Sequence, residues 1–302
     1  MRKVNILSSF ILKVVAILAM TIDHIGFLIG RLANFNMDLI RLAEVFRIIG
    51  RLAMPLFIFM IVEGVIHTKD IKKYFLRLGI MAALISVVYI LMEYVPYIRE
   101  RSQGLLRAGN IFLDLLVVAF AIWSIRQEGF KKLFILLPIA IAVSSFVVKG
   151  IENSTTTSIY WLPFFLTMRY DIIALLWGIG FYFSYLLADI YIKSLEPTTG
   201  MDKSIWVENG NYRLAVNIIS TLMLIAVSVL YYSFYYIWPN AVFNNARSAS
   251  IQLTAIVSGA FILLYSGKRG YNSKWFQYGC YLYYPLHIAT LLAIYIIING
   301  GI

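Results

Sequence analysis

Charge is scarce in this sequence, and acidic charge is scarcest. Of 302 residues only 14% are charged, with 15 Asp and Glu against 26 Lys and Arg. Such a chain cannot cover a soluble surface, because 61% of it is hydrophobic and a folded domain has too little interior to hide that much. Cysteine occurs once, at Cys280, which excludes an intrachain disulfide and a thiolate metal cluster. Set in an apolar run, Cys280 reads as filler and not as a nucleophile. Histidine occurs three times, at His24, His67 and His287. No HEXXH zinc spacing, GxSxG elbow or glycine-rich phosphate loop is present, and no metal site is expected. Repeats and low-complexity tracts are also missing.

What remains is long apolar runs, and the mean hydropathy is +0.80. The runs are continuously apolar, not alternating, so they read as transmembrane helices and not as barrel strands. The expected spans are Val14–Gly30, Ile48–Ile66, Leu78–Pro96, Asn110–Ile125, Leu133–Val148, Tyr170–Ile192, Leu214–Trp238, Ile251–Ser266 and Phe276–Ile298. Residues 159–166, "IYWLPFFL", are too short to cross and read as a re-entrant piece or half of a tenth span. The fold class is therefore all-α, a polytopic bundle of about nine to ten spans in one membrane domain, 1–302. The basic, apolar N-terminus lacks a small-residue cleavage site and reads as an uncleaved first span.

The formal net charge is +11. In a soluble protein that would suggest nucleic acid, but here the basic residues sit in short loops and set topology. With nine spans and the N-terminus inside, 16 basic residues face the cytoplasm and 9 face outward. The bias favours a cytoplasmic N-terminus.

Against that background the run "LAMTIDHIGFLIG" (18–30) stands out, because Asp23 and His24 lie inside a span. Ionisable groups in hydrocarbon usually face the bundle interior and mark a site. Helical rise places them. His24 lies eleven residues beyond Lys13, roughly 16 Å deep. His287 lies thirteen residues past Lys274, roughly 20 Å deep, and Arg51 lies roughly 24 Å from the His67 end. Residues far apart in the chain thus share one depth. Asp23 and His24 are about 100° apart on a helix, so they cannot simply face one another. One is expected to face a cavity while the other bonds a neighbouring helix, with Asp23 either tuning His24 or pairing with Arg51. The bland alternative is a buried polar cluster that only holds helices together.

In "RIIGRLAMP", Arg47 and Arg51 share a helix face, and Pro55 is expected to break or bend this span. In "EGVIHTKDIKKYFLRL" (63–78), Glu63 and His67 share a face, followed by Lys69, Lys72, Lys73 and Arg77. That basic mouth suits either anionic lipid or a phosphorylated cytosolic cofactor. "YGCYLYYPLHI" combines tyrosines, Pro285 and His287. Asn110 and Asp114, and Tyr170 and Asp171, place polar groups at the outer ends of two spans.

The blocks "LKVVAILAMTIDHIGFLIG" (12–30), "RIIGRLAMPLFIFMIVEGVIHTKDIKKYFLRLGIMAALIS" (47–86), "NIFLDLLVVAF" (110–120) and "YGCYLYYPLHIATLLAI" (278–294) resemble the TraX family of bacterial membrane acyltransferases. The family favours Thr where Asp114 stands, and Asp-Tyr-Gly where Arg169-Tyr170-Asp171 stands. The resemblance implies a multi-pass protein of the bacterial cytoplasmic membrane that transfers an acyl group from cytosolic acetyl-CoA, or a related acyl-CoA. The acceptor would be a hydroxyl or amine on a cell-surface glycan, a lipid-linked sugar or a pilin-like N-terminus. Under it His24 is the expected general base, Asp23 its support, Arg51 the oxyanion stabiliser, and His287 a substrate-binding or proton-transfer group. Lys69, Lys72, Lys73, Arg77, His67 and Arg47 are the expected CoA-binding groups. The partners are then the lipid bilayer, acyl-CoA and the acceptor, with no nucleic acid. The competing class is a transporter or flippase that uses the buried acids and histidines as a proton relay.

Overall fold

The computed structural model describes residues 6–96, 109–155, 166–237 and 251–300. Helices begin where short polar side chains take up the otherwise unpaired first amides. Ser8 accepts from Ile11 and starts α1 (Ser9–Leu32). Asn36 accepts from Asp38 and Leu39 and starts α2 (Met37–Gly50). After a turn at Arg51 and Leu52 comes α3 (Ala53–His67). Asp70 accepts from Lys73 at α4 (Ile71–Tyr94), and Asn110 accepts from Phe112 and Leu113 at α5 (Ile111–Ile125). A 3-10 stretch, Gly129–Ile135, leads into α6 (Leu136–Thr155). Then follow α7 (Asp171–Thr199), α8 (Lys203–Glu208) and α9 (Asn211–Ile237). A 3-10 turn, Thr254–Val257, precedes α10 (Ser258–Leu263), and α11 (Lys274–Gly300) closes the described chain.

Among the described residues, seven helical segments are long and apolar enough to cross a membrane: Ser9–Leu32, Met37–His67, Ile71–Tyr94, Gly129–Ile151, Asp171–Thr199, Asn211–Phe234 and Lys274–Ile298. Two more apolar helices are shorter, Ile111–Ile125 and Ile251–Leu263. These nine segments coincide in place with the nine expected spans, but their character differs in three of them. The second begins at Met37, not Ile48, and pairs with α1 as a helical hairpin through the turn at 33–36. Its break falls at Arg51–Leu52 and not at Pro55. Pro55 sits in the first turn of α3, where a missing amide hydrogen leaves no bond unmade. The eighth segment is 13 residues long in the described chain, roughly 20 Å of helix, too short to cross alone. The polar stretch Lys193–Arg213, after the sixth expected span, is mostly helical: α7 runs on to Thr199 and ends on left-handed Gly200, and Asp202 caps α8. Residues 159–165 lie outside the described residues.

α3 is apolar on all sides and its side chains are buried nearly throughout, so it forms the centre of the bundle. Leu56, Ile58, Phe59 and Val62 are fully covered by α1, α5 and α7, where Leu12, Ile122, Trp177 and Phe181 lie. α1 lies between α2 and α11. Two glycines set its approach to α2. A methyl group at Gly26 would stand 2.6 Å from the Phe46 Cβ, and one at Gly50 would land on the Asp23 side chain. Small residues at such crossings let backbones come close. At the end of the bundle where α1 begins, the chain at Ile6–Phe10 lies beside Leu264–Arg269. The Ile6 and Leu7 amides donate to the Leu264 carbonyl, and the Phe10 amide donates to that of Arg269. This brings Lys268 and Arg269 to the rim that also carries Lys13, His67 and the start of α4.

Candidate active site

His24 of α1 and His287 of α11 meet, with the His287 Nε2 2.9 Å from the His24 Nδ1. The protons in this pair can be assigned from its partners. The His287 Nδ1 lies 2.9 Å from the Tyr283 carbonyl oxygen, which can only accept, so Nδ1 carries hydrogen. In a neutral ring Nε2 then accepts, and the His24 Nδ1 donates to it. A neutral His24 is left with a lone pair on Nε2. Around the pair, the Tyr283 ring stacks on His287 at 5.1 Å and its hydroxyl bonds the Thr21 hydroxyl at 2.6 Å. Tyr284 stands edge-on to both imidazoles, 6.2 Å from His24 and 5.3 Å from His287 between centroids.

Asp23 turns the other way. Its carboxylate holds the Arg51 guanidinium at 2.7 Å and Arg47 at 3.7 Å. Arg51 also donates through Nε to the Arg47 carbonyl and through a terminal nitrogen to Gln252. The turn between α2 and α3 makes this possible, since it ends one helix at Gly50 and drops Arg51 beside α1. Arg51 is 6% exposed, and Asp23 is the acid that compensates it. Arg169 lies within electrostatic range of His24, Arg47 and Tyr284.

Two adjoining cavities lead from the basic rim toward the histidine pair. The outer one, about 340 Å³, is lined by Lys13, Glu63, His67, Tyr74, Arg269 and Tyr271 among others. The inner one, about 270 Å³, has Lys13, Arg77 and Gln277 at one end and Met20, Phe112 and Tyr284 at the other. Both touch Lys13, Met60, Gly64, Tyr74 and Gln277. The passage therefore starts polar and basic, becomes apolar, and ends on Tyr284 beside His24 and His287. On one side of the rim Glu63 is clamped by Arg213, with contacts of 2.5 Å and 3.3 Å, and by the Tyr185 hydroxyl. The Arg213 guanidinium also lies 5.4 Å over Tyr185 and 5.1 Å over Tyr265.

The structure thus joins His24 to His287 and Asp23 to Arg51, and links the two couples through neighbouring residues of α1. The six expected CoA-binding groups divide. Arg77 and His67 line the passage. Lys69, Lys72 and Lys73 are exposed beside it and line neither cavity. Lys73 pairs with Asp70 at 3.0 Å, and the Lys73 backbone amide, the largest influence, holds the Asp70 carboxyl below its ordinary range. Arg47 is placed away from the rim altogether: it follows Gly50's helix to Asp23 and rests on the Phe27 ring at 5.5 Å.

Lys13, Arg269, Tyr284 and Gln252 escaped the sequence reading as site residues. A signal for two of them existed. Lys13, Ile17, Met20 and His24 repeat at helical spacing and so share one face of α1. Gln277, Cys280, Tyr284 and His287 do the same on α11. Arg269 and Gln252 carry no such mark, because their positions depend on how distant segments fold back. In the first turn of α5, Asp114 accepts the amides of Arg169, Tyr170 and Asp171 at 2.6, 2.8 and 3.1 Å. Lys149 holds Asp171 at 2.5 Å. Asp114 and residues 169–171 are thus in direct contact.

A family model described as TraX protein matches residues 8–206. The chain is similar to "Probable fimbrial assembly protein FimC, serogroup H1" of Dichelobacter nodosus, 33% identical over 116 residues, 38% of this chain and 45% of that protein. It is also similar to "Uncharacterized protein RP591" of Rickettsia prowazekii (strain Madrid E), 29% identical over 156 residues, 46% of this chain and 55% of that one. The matches thus span about half the length of these curated relatives. No solved structure matches the chain significantly.

Proposed function

The chain belongs to the TraX protein family, and from that premise we propose that it is a bacterial integral-membrane acyltransferase. It moves an acetyl or related acyl group from acyl-CoA to a hydroxyl or amine. The carrying observation is the passage that opens on a basic rim and ends at Tyr284 against the His24–His287 pair. With the basic rim taken as cytoplasmic, the donor's phosphates meet Lys13, Arg77 and Arg269, and Lys69, Lys72 and Lys73 supply positive potential at the approach. Reach agrees. The pantetheine arm is as long as about four extended residues, roughly 15 Å, and His24 lies roughly 16 Å along α1 from Lys13.

In this reading the His24 Nε2 takes the proton as the acceptor's oxygen or nitrogen attacks the thioester carbon. Charge placed on His24 is shared through the Nδ1–Nε2 bond to His287. The tetrahedral oxyanion then collapses, the carbon–sulfur bond breaks, and the CoA thiolate leaves and takes the proton back. Arg51 gives three of its five N–H donors to Asp23, Gln252 and the Arg47 carbonyl. The remaining two and the fixed charge make it the candidate for oxyanion stabilisation. Asp23 holds it there. The fimbrial name of one relative supports a pilin-like N-terminus as acceptor, beside a surface glycan or a lipid-linked sugar.

Titration of the purified full-length protein with acetyl-CoA tests the donor. Binding supports the reading, and its absence overturns it in favour of a transporter. Mass spectrometry of envelope glycans and surface proteins, with and without the gene, then identifies the acceptor by its missing acyl group.

A further inference from the structure

The inner cavity ends on two buried aromatic rings. Tyr284 is 8% exposed and borders the cavity beside the two imidazoles. Phe112, 6% exposed, packs its ring against that of Tyr284 at 5.4 Å and 87°. Behind them the Tyr89 hydroxyl faces that of Tyr284 and donates to the Gly109 carbonyl at 3.3 Å. Phe112 stands two residues after Asn110, the cap of α5, whose side-chain amide nitrogen donates to the Ala82 carbonyl at 2.7 Å. The wall is therefore anchored to α4, α5 and α11 at once.

We propose that Phe112 and Tyr284 form the wall that sets the length of the acyl group the cavity accepts. This rests on the acyl-CoA reading above. A donor entering past Lys13, Ile17 and Met20 brings its thioester to this wall, and the acyl carbons beyond the thioester must lie against the two rings. Each added methylene has to displace buried, close-packed aromatic groups, which resist such overpacking. The outer cavity at the rim, about 340 Å³, is lined by neither Phe112 nor Tyr284, so CoA itself is indifferent to the wall.

The test is titration of the full-length protein in lipid nanodiscs with CoA, acetyl-CoA and hexanoyl-CoA. Wild type should bind hexanoyl-CoA at least about tenfold more weakly than acetyl-CoA, the scale set by misfit methylenes in an apolar pocket. Phe112→Ala should remove most of that gap while CoA binds as before. Phe112→Leu, a milder change that keeps the site apolar, should narrow the gap partly. Equal affinities in wild type, or an unchanged gap in both variants, would overturn the wall and leave the donor reading standing. No binding of CoA or acetyl-CoA to wild type would overturn both.

Discussion

His24 and His287 are separated by 263 positions in the chain, yet their imidazoles are joined at 2.9 Å by a bond whose proton direction is set by the Tyr283 carbonyl. That direction leaves the His24 Nε2 as the basic atom. His24→Ala should therefore lower acyl transfer by roughly 10²–10⁴-fold with little change in acetyl-CoA affinity. His287→Ala should lower it less, because the basic atom survives while its orientation is lost. Single-turnover transfer from radiolabelled acetyl-CoA measures both, and full activity in a folded His24→Ala protein removes His24 from the mechanism.

Asp23 carries Arg51 in a buried setting, where removing one partner leaves an uncompensated charge. Asp23→Ala should destabilise the protein by about 3–5 kcal/mol. The Asp23→Ala, Arg51→Ala double variant should lose less than the sum of the singles. Gly50→Ala should destabilise by the same route, since its new methyl group lands on Asp23. Thermal unfolding in detergent, followed by intrinsic fluorescence, ranks the four proteins.

Glu63 and Arg213 tie α3 to α9 at the rim. Glu63→Ala should again cost about 3–5 kcal/mol by stranding Arg213. If the pair serves only to hold the helices, acetyl-CoA affinity in the surviving folded protein should change less than threefold. A titration below the unfolding temperature separates the two effects.

Lys13 and Arg269 line the passage, whereas Lys72 stands outside it. Charge reversal, Lys13→Glu or Arg269→Glu, should weaken acetyl-CoA binding by at least about tenfold and flatten its salt dependence. Lys72→Glu should change it less. An equal effect at all three positions would mean that only the overall basic surface matters.

Cys280 lines the inner cavity beside Tyr281 and Tyr284, so its thiol reports occupancy. A small maleimide should label Cys280 in the unliganded protein, and acetyl-CoA should slow that labelling. Intact-protein mass spectrometry reads the rate directly, since the chain has no other cysteine.

Much of this was legible in the residues. Apolar length marked the helices and Asn110 the start of one span, whereas the capped starts after Ser8, Asn36 and Asp70 emerged only in the structure. Helical rise put His24 and His287 at similar positions along their helices, and the two meet; the 100° between Asp23 and His24 meant that they could not simply face one another. The basic run after His67 was less informative. Of its four cations only Arg77 reaches the passage, because charge density locates an end of the bundle and not the face of a helix that borders a cavity. Arg47 shows the same limit. It shares a face with Arg51, and a carboxylate on α1 drew it away from the rim.

The sequence by itself determined the local quantities: which stretches are helical, how apolar they are and which residues share a face. These follow from rise and period, which each helix carries alone. Only the tertiary structure decided the pairings. His24 met His287, Asp23 met Arg51 and Arg47, Asp114 met the amides of 169–171, and Lys13 joined Arg269 at one rim. Each pairing depends on which helices are neighbours and how they are rotated, and that is set by packing around α3 across the whole chain.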